Sequence, residues 1–188
     1  MTDSVPPNIW DERYRSSPTS FHPCQLVTET AQNLAAGRAL ELACGTGGNA
    51  LWLAERGWQV TAVDSSAVAV DLLQAESVRR GIRVNPVIAD LEAGQFVVAP
   101  NAWDLVIITK YLQRDLFESI KHGVVPGGMV ISSALLQLPD QTNSQFRVKR
   151  GELRAYFSDW EILSYREPAN GAIAAHSLAE IVVRRPAC

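Results

Sequence analysis

Gly45, Gly47 and Asp64 have the residue types and the spacing of a site that binds a nucleoside. The glycines follow an apolar run (39–43), and Asp64 ends a second one (60–63), with a helical pattern between them. Strand, glycine turn, helix, strand and acid in this order predict a βαβ unit, whose first turn is where nucleotide-type ligands bind. The glycines would let the backbone approach a ligand closely, and the carboxylate would accept hydrogen bonds from both ribose hydroxyls. A tight turn without a ligand would explain one glycine. It would not explain two glycines together with an acid, Asp64, at the end of the next strand, where the ribose of a bound nucleoside would lie.

Two kinds of cofactor fit this turn. Gly45, Gly47 and Ala50 satisfy the dinucleotide pattern G-x-G-x-x-A, with an acid about 20 residues further on, which is typical of NAD(P) sites. Glu41, however, lies inside the preceding strand, four residues before Gly45. A carboxylate there would repel a pyrophosphate and suits a ligand that carries an ammonium group. S-adenosylmethionine has an ammonium, a carboxylate and a sulfonium, and no phosphate.

The segment LELACGTG at 40–47 strongly resembles motif I of the class I S-adenosylmethionine-dependent methyltransferases. Later segments resemble the family's third strand with its terminal acid, its fourth strand, and the turn into its fifth; they are VIADL (87–91), WDLVIIT (103–109) and VPGGMVI (125–131). The resemblance implies S-adenosylmethionine as the cofactor, with Asp64 on the ribose and Asp90 on the adenine. The cofactor-binding residues predicted on this basis are Trp10, Glu41, Ala43, Gly45, Thr46, Gly47, Asp64, Ser65, Asp90, Leu91 and Thr109.

Two further segments resemble the small methyltransferases of the tellurite-resistance TehB type more specifically. They are NIWDERY (8–14), closely followed by FHP (21–23), and RGELRAYFSDWE (150–161). Members of that group usually carry a longer connection after the sixth strand, with a His-Arg pair. In this sequence the connection is short and the only nearby histidine is His176, at the expected start of the last strand.

The catalytic residue is unknown from the sequence, and His22, Thr109 and Tyr111 are the candidates. Trp10 and Tyr14 are four residues apart and therefore share one face of a helix. This helix is either a lid whose aromatic rings cover the sulfonium or an element packed on the sheet edge. Methyl transfer is an in-line displacement, so a soft nucleophile needs alignment and exclusion of water more than it needs a base. We therefore expect a small-molecule methyl acceptor with a soft sulfur, selenium or tellurium nucleophile.

Alternating strand and helix patterns predict a doubly wound, Rossmann-like α/β sheet with helices on both faces. Its seven strands are mostly parallel, with one antiparallel strand, because the connection over 167–175 is too short for a crossover helix. The predicted strands are 38–43, 59–63, 84–88, 103–108, 129–136, 160–166 and 176–184. The predicted helices are 48–56, 67–80, about 112–122 and 151–157, after helical pieces within 8–36.

Length and hydrophobic content fit one methyltransferase domain over 1–188, made of an N-terminal helical leader or lid (1–36) and a Rossmann-like core (37–188). The 188 residues are 47% hydrophobic. That length leaves little room for the separate substrate domain that most dehydrogenases carry. The net charge of −3 gives no electrostatic case for a nucleic acid partner.

The chain has no apolar run of 18 residues, so we expect no membrane partner. Cys24, Cys44 and Cys188 are widely spaced and odd in number, which argues against a metal site and suits a cytoplasmic location. The oligomeric state, monomer or dimer, stays open.

A small-molecule methyltransferase is the favoured function. The alternatives are an NAD(P)-binding Rossmann oxidoreductase and a non-catalytic nucleoside-binding domain of the same fold.

Overall fold

The computed structural model describes residues 8–138, 144–169 and 172–187. Two helices, α1 (Ile9–Ser16) and α2 (Gln25–Ala31), precede the sheet. The strands are β1 (Arg38–Leu42), β2 (Gln59–Asp64), β3 (Val84–Ile88), β4 (Trp103–Thr109), β5 (Val124–Leu135), β6 (Glu161–Arg166) and β7 (Leu178–Arg184). The helices between them are α3 (Gly48–Ala54), α4 (Ala67–Arg80), α5 (Leu116–Gly123) and α6 (Glu152–Ala155). The first seven residues of the predicted leader, residues 170 and 171 of the predicted short connection, and Cys188 lie outside the described residues.

The seven strands form one sheet in the order β3-β2-β1-β4-β5-β7-β6. β1 to β5 pair in parallel, whereas β7 pairs antiparallel with both β5 and β6. The predicted Rossmann-like sheet with a single reversed strand is therefore confirmed.

Apolar side chains cover both faces of the sheet, as a largely parallel sheet requires. Leu40 and Leu42 of β1 belong to a cluster that includes buried side chains of α5 and α6. The alternate residue Ala39 belongs to a second cluster, which contains buried side chains of α2, α3 and α4. Helices therefore lie on both faces, as predicted, and no helix in the described ranges has the length and hydropathy to cross a membrane.

Three predicted starts of elements differ from the observed ones by two residues or more. The helix expected from about 112 begins at Leu116 instead, because the Gln113 side chain donates to the Leu91 carbonyl and that segment follows a left-handed residue, Lys110. The strand expected from 129 begins at Val124, which already pairs with Trp103 before the pairing shifts register.

The last strand begins two residues later than expected. His176 lies in the preceding turn, and β7 starts at Leu178. The Ser177 hydroxyl accepts a hydrogen bond from the Ala174 amide at 2.9 Å, which holds the turn together before the strand begins.

Candidate functional site

The glycine turn lies where β1 and β4 are neighbours in the sheet. The helices that follow these two strands, α3 and α5, pack on opposite faces, which opens a crevice at the carboxyl ends of the strands. Ala43 follows β1 with a φ of 52°, and Lys110 follows β4 with a φ of 57°. Non-glycine residues rarely adopt this left-handed conformation, and such strain is concentrated at functional sites.

Both glycines of the turn have left-handed backbones and are closely covered by other parts of the chain. A side chain at Gly47, whose φ is 74°, would collide with Leu73 of α4. A side chain at Gly45, whose φ is 54°, would collide with the hydroxyl of Tyr14 in α1. The packing of this chain therefore already requires both glycines, apart from any ligand.

Asp64 holds the glycine turn to the end of β2. Its Oδ2 accepts a hydrogen bond from the Gly45 amide at 2.7 Å, and its Oδ1 accepts one from the Ser66 amide at 2.9 Å. The side chain is buried. Each carboxylate oxygen can accept more than one hydrogen bond, so a ribose hydroxyl can share these oxygens with the backbone.

Glu41 is buried beneath the turn and is fully hydrogen-bonded within the protein. Its Oε1 accepts from the Asn49 side-chain amide at 2.8 Å, and its Oε2 accepts from the Ala50 backbone amide at 2.9 Å. Asn49 in turn accepts a hydrogen bond from the Cys24 backbone amide at 2.7 Å, which ties the leader to α3. Glu41 thus satisfies one of the free amides at the start of α3.

Two buried carboxyl groups, those of Glu41 and Asp64, determine the electrostatics of the turn. Burial raises the pKa of Glu41 to about 7. Burial also raises the pKa of Asp64, although hydrogen bonds from backbone amides oppose the shift. Burial, followed by the nearby Asp64 carboxylate, raises the pKa of the Tyr14 hydroxyl to about 12. In the part of the chain that the structure describes, no lysine or arginine forms an ion pair with Glu41 or Asp64.

The leader lies over the turn. Tyr14 of α1 is half-buried against Gly45, whereas Trp10 is 43% exposed and carries the Arg13 guanidinium 5.2 Å from the centre of its ring. Further along, the Thr46 hydroxyl donates to the Ser20 carbonyl at 2.6 Å.

The backbone carbonyl of His22 covers the start of α3, where a side chain at Gly48 would collide with it. The His22 ring is exposed, and its Nδ1 lies 3.1 Å from the Ser20 hydroxyl. The ring of this catalytic candidate therefore contacts its own loop.

Asp90 organises the turn after β3. Its Oδ1 accepts hydrogen bonds from the Glu92 and Ala93 amides at 2.9 and 3.2 Å. Leu91, beside it, is buried in the core. Gln113 ties this turn to the chain after β4, because it donates to the Leu91 carbonyl at 3.2 Å and accepts from the Tyr111 hydroxyl at 2.9 Å.

Tyr111 and Thr109, the other two catalytic candidates, lie at the carboxyl end of β4. Tyr111 is half-buried, and burial together with Glu92 and Asp90 raises the pKa of its hydroxyl well above the usual range. Its hydroxyl is therefore a hydrogen-bond donor and not a ready base. Thr109 is the last residue of β4 and is half-buried.

Sequence reasoning missed the polar residues that fasten α1, which are Asn8 and Asp11. Both side chains reach the turn after β2 at Ser65 and Ser66. A signal was present, because Asp11 and Tyr14 are three residues apart and so are neighbours on the helix surface, and Asn8 stands three residues before Asp11 at the N-cap. Asn49 and Gln113 were also missed, since a lone amide gives no pattern.

The comparison with known families gives one assignment. Residues 6–175 match the model of the family described as tellurite resistance protein TehB. Among curated proteins, the chain is 30% identical over 148 residues to Hemagglutinin 1 of Eikenella corrodens, covering 75% of this chain and 49% of that protein. It is 26% identical over 151 residues to the probable S-adenosyl-L-methionine-dependent methyltransferase TehB of Haemophilus influenzae strain 10810, covering 75% of this chain and 52% of that protein. The chain thus spans about half the length of these relatives.

Among solved structures, TehB from Haemophilus influenzae superimposes with a TM-score of 0.72 at 22% sequence identity. The match covers 85% of this chain and 61% of that one. At this identity the likeness establishes the fold, and it agrees with the strand order described above.

Proposed function

Because the chain belongs to the TehB family of tellurite resistance proteins, we propose that it is an S-adenosylmethionine-dependent methyltransferase that acts on a small-molecule acceptor. The nucleophile of the acceptor attacks the methyl carbon while the carbon–sulfur bond breaks, and neutral S-adenosylhomocysteine leaves. The protein has to hold the two reactants in line and exclude water.

The observation that carries this proposal is a pair of buried carboxyl groups at the glycine turn with no cationic side chain from the described part of the chain beside them. Asp64 and Glu41 lie at the ends of neighbouring strands, and neither forms an ion pair with a cation among the described residues. A ligand with a sulfonium and an ammonium supplies the missing positive charge, and the low dielectric of a buried site strengthens that attraction. Glu41 would contribute through its electrostatic field, since it is buried beneath the turn and its oxygens face Asn49 and Ala50 of α3.

The adenosyl part of the cofactor would lie between the turn and the loops after β2 and β3. Asp64 and Ser65 would meet the ribose, and Asp90 and Leu91 the adenine. This placement is supported by the Gln113 bridge, which joins the Asp90 turn to the chain after β4 and so shapes one wall of the crevice.

The same geometry speaks against the dinucleotide alternative. A pyrophosphate would need free amides at the start of α3. The Ala50 amide is already bonded to Glu41, and the His22 carbonyl covers Gly48. A second negative group would meet a carboxylate and a carbonyl there.

For the acceptor, we propose a small, soft nucleophile of sulfur, selenium or tellurium. Among the three catalytic candidates, histidine is the only residue type whose ordinary pKa range suits a base, and the His22 ring is exposed in the loop before α2. The His22 ring contacts Ser20, the Tyr111 hydroxyl donates to Gln113, and Thr109 carries no ionisable group. A thiolate, selenolate or tellurium anion is nucleophilic without such a base, whereas an alcohol is not.

Calorimetric titration with S-adenosylmethionine, S-adenosylhomocysteine and NADH tests the cofactor. We expect the first two to bind and NADH to give no heat. Binding of NADH without binding of the other two would favour the oxidoreductase.

Transfer of labelled methyl groups to thiols, selenite, tellurite and small carboxylates then tests the acceptor. Methylated carboxylates without methylated sulfur, selenium or tellurium products would contradict the soft-nucleophile assignment. Cofactor binding without any product would favour the non-catalytic alternative.

A further inference from the structure

Two polar side chains fasten α1 to the turn that follows β2. The Asn8 amide donates to the Ser65 carbonyl at 2.7 Å and lies 3.2 Å from the Ser65 hydroxyl. The Asp11 Oδ1 accepts from the Ser66 hydroxyl at 2.6 Å and from the Val68 amide at 3.2 Å. The hydrogen bond from Ser66 holds the pKa of Asp11 below its usual value, so this carboxylate is ionised at neutral pH.

The same turn holds Asp64. The Ser66 amide donates to Asp64, while the Ser66 hydroxyl donates to Asp11, and the other oxygen of Asp64 accepts from Gly45. A continuous series of hydrogen bonds therefore runs from the leader through Ser66 and Asp64 to the glycine turn. Movement of α1 away from this turn would change the surroundings of the carboxylate assigned to the ribose.

Tyr14 lies one helical turn beyond Asp11, and its hydroxyl is directed at Gly45. Within the described ranges, this hydroxyl has no hydrogen-bond partner, although Tyr14 is half-buried. Its pKa is raised to about 12, chiefly by burial, so the hydroxyl is protonated at neutral pH. A protonated hydroxyl without a partner, held over a ligand-binding turn, is available to donate to an acceptor group of the bound ligand.

We propose that Asp11 is a positioning residue, which fastens α1 to Ser66 and thereby holds the Tyr14 hydroxyl at the glycine turn, so that docking of the leader and binding of the cofactor are coupled. The coupling to the cofactor rests on the proposed function. The docking itself does not, and it can be measured without any ligand.

The test compares three full-length variants with the wild type. Asp11→Ala removes both hydrogen bonds. Asp11→Asn keeps a side-chain oxygen that can accept them. Glu12→Ala is the matched control, because Glu12 is an exposed acid on the same helix with no ion pair or side-chain hydrogen bond among the described residues. Amide hydrogen exchange over residues 9–16 reports docking, and calorimetry with S-adenosylhomocysteine reports binding.

We expect Asp11→Ala to lose exchange protection in α1 and to bind S-adenosylhomocysteine about tenfold more weakly, which corresponds to one hydrogen bond to a charged group. Asp11→Asn should recover most of both properties, and Glu12→Ala should match the wild type. In a Tyr14→Phe background, Asp11→Ala should have less than a threefold further effect on affinity, because the hydroxyl that it positions is already gone.

Two results would overturn the proposal. Equal protection of α1 in Asp11→Ala and Glu12→Ala would show that Asp11 does not fasten the helix. A full tenfold loss of affinity in the Tyr14→Phe background would show that Asp11 does not act through Tyr14. Failure of the wild type to bind S-adenosylhomocysteine would instead refute the proposed function, and the proposal on docking would then be decided by hydrogen exchange alone.

Discussion

The Asp64 carboxylate holds the glycine turn in place, because its oxygens accept hydrogen bonds from the Gly45 and Ser66 amides. The same carboxylate is the proposed contact to the ribose. We expect Asp64→Ala to weaken S-adenosylhomocysteine binding by about 1.5–3 kcal/mol, the range for a hydrogen bond to a charged group. Because two backbone amides lose their partner, the melting temperature should fall as well. Calorimetry and thermal unfolding measure the two effects.

Asp71→Ala provides the control for Asp64→Ala. Asp71 is exposed on α4 and has no ion pair among the described residues, so its removal changes the net charge equally. It should leave affinity and melting temperature unchanged. Unaltered affinity in a folded Asp64→Ala protein would refute the ribose assignment.

Leu73 sets the requirement for glycine at position 47. Gly81 is the matched control, because it caps α4 with a φ of 66° and a side chain added there would meet no heavy atom within 4 Å. We expect Gly81→Ala to cost about 1–2 kcal/mol from backbone strain alone. Gly47→Ala should cost about 1–3 kcal/mol more, because its methyl group also meets Leu73.

A double-mutant cycle separates the two causes. Leu73→Ala leaves a cavity and should itself cost about 2–5 kcal/mol, but it removes the atoms that the new methyl group meets. The Gly47→Ala/Leu73→Ala protein should therefore be more stable than the sum of the single losses predicts, as measured by urea unfolding. Strict additivity would mean that Leu73 is not the cause.

At the scale of the elements, deletion of α1 and the connection that follows it tests whether the leader is a lid or a packing helix. We expect deletion of residues 1–20 to leave the sheet folded, to weaken cofactor binding about tenfold and to lower turnover at saturation roughly a hundredfold, because water exclusion and alignment act on the chemical step. Far-ultraviolet circular dichroism, calorimetry and product formation measure these three properties. Normal turnover on a less stable protein would identify the leader as packing only.

Arg114 organises the chain between β5 and α6. Its guanidinium donates to the Gln145 and Arg147 carbonyls and to the Glu152 carboxylate. We expect Arg114→Lys to increase amide exchange in the described part of this connection, from 144 to 152, because an ammonium cannot reproduce the planar fork. Exchange in β1 serves as the internal reference, and unchanged protection over 144–152 would contradict the prediction.

The elements were predictable from sequence wherever one local rule decided them. Apolar runs that end in Asp64 and Asp90 located β2 and β3, and the helix over 67–80 was predicted at its observed bounds. The start of α5 was not, because the Gln113 side chain bonds to a carbonyl 22 residues away in the sequence. Contacts across such distances leave no local pattern. The hydrogen bonds that Glu41 accepts could not be predicted for the same reason, since both donors, Asn49 and Ala50, belong to the next helix.

At the scale of the whole molecule, the buried acid beneath the turn links stability to pH. The pKa of Glu41 is raised from 4.5 to about 7 in the folded protein, so the folded state binds a proton that the unfolded state has released. The stabilisation is complete below pH 4.5 and is lost as pH rises towards about 7, a change on the order of 3 kcal/mol.

Glu41→Gln isolates this effect, because an amide cannot titrate. We expect the variant to be less stable overall, since its NH₂ group must face the Asn49 or Ala50 donor, but to lack the decline between pH 4.5 and 7. Urea unfolding at several pH values measures both slopes. Parallel curves for the two proteins would show that another group controls the pH dependence.

The place of β7 between β5 and β6 constrains the order of assembly during synthesis. β6 pairs only with β7 within the sheet, although the ribosome makes β6 first. Until β7 emerges, β6 has no neighbour to pair with and the edge of β5 stays open. Before β7 is made, at most the first five strands can pair as they do in the folded sheet. The open edge of β5 and the whole of β6 are then available to other chains, so we expect association to be most favourable at that stage.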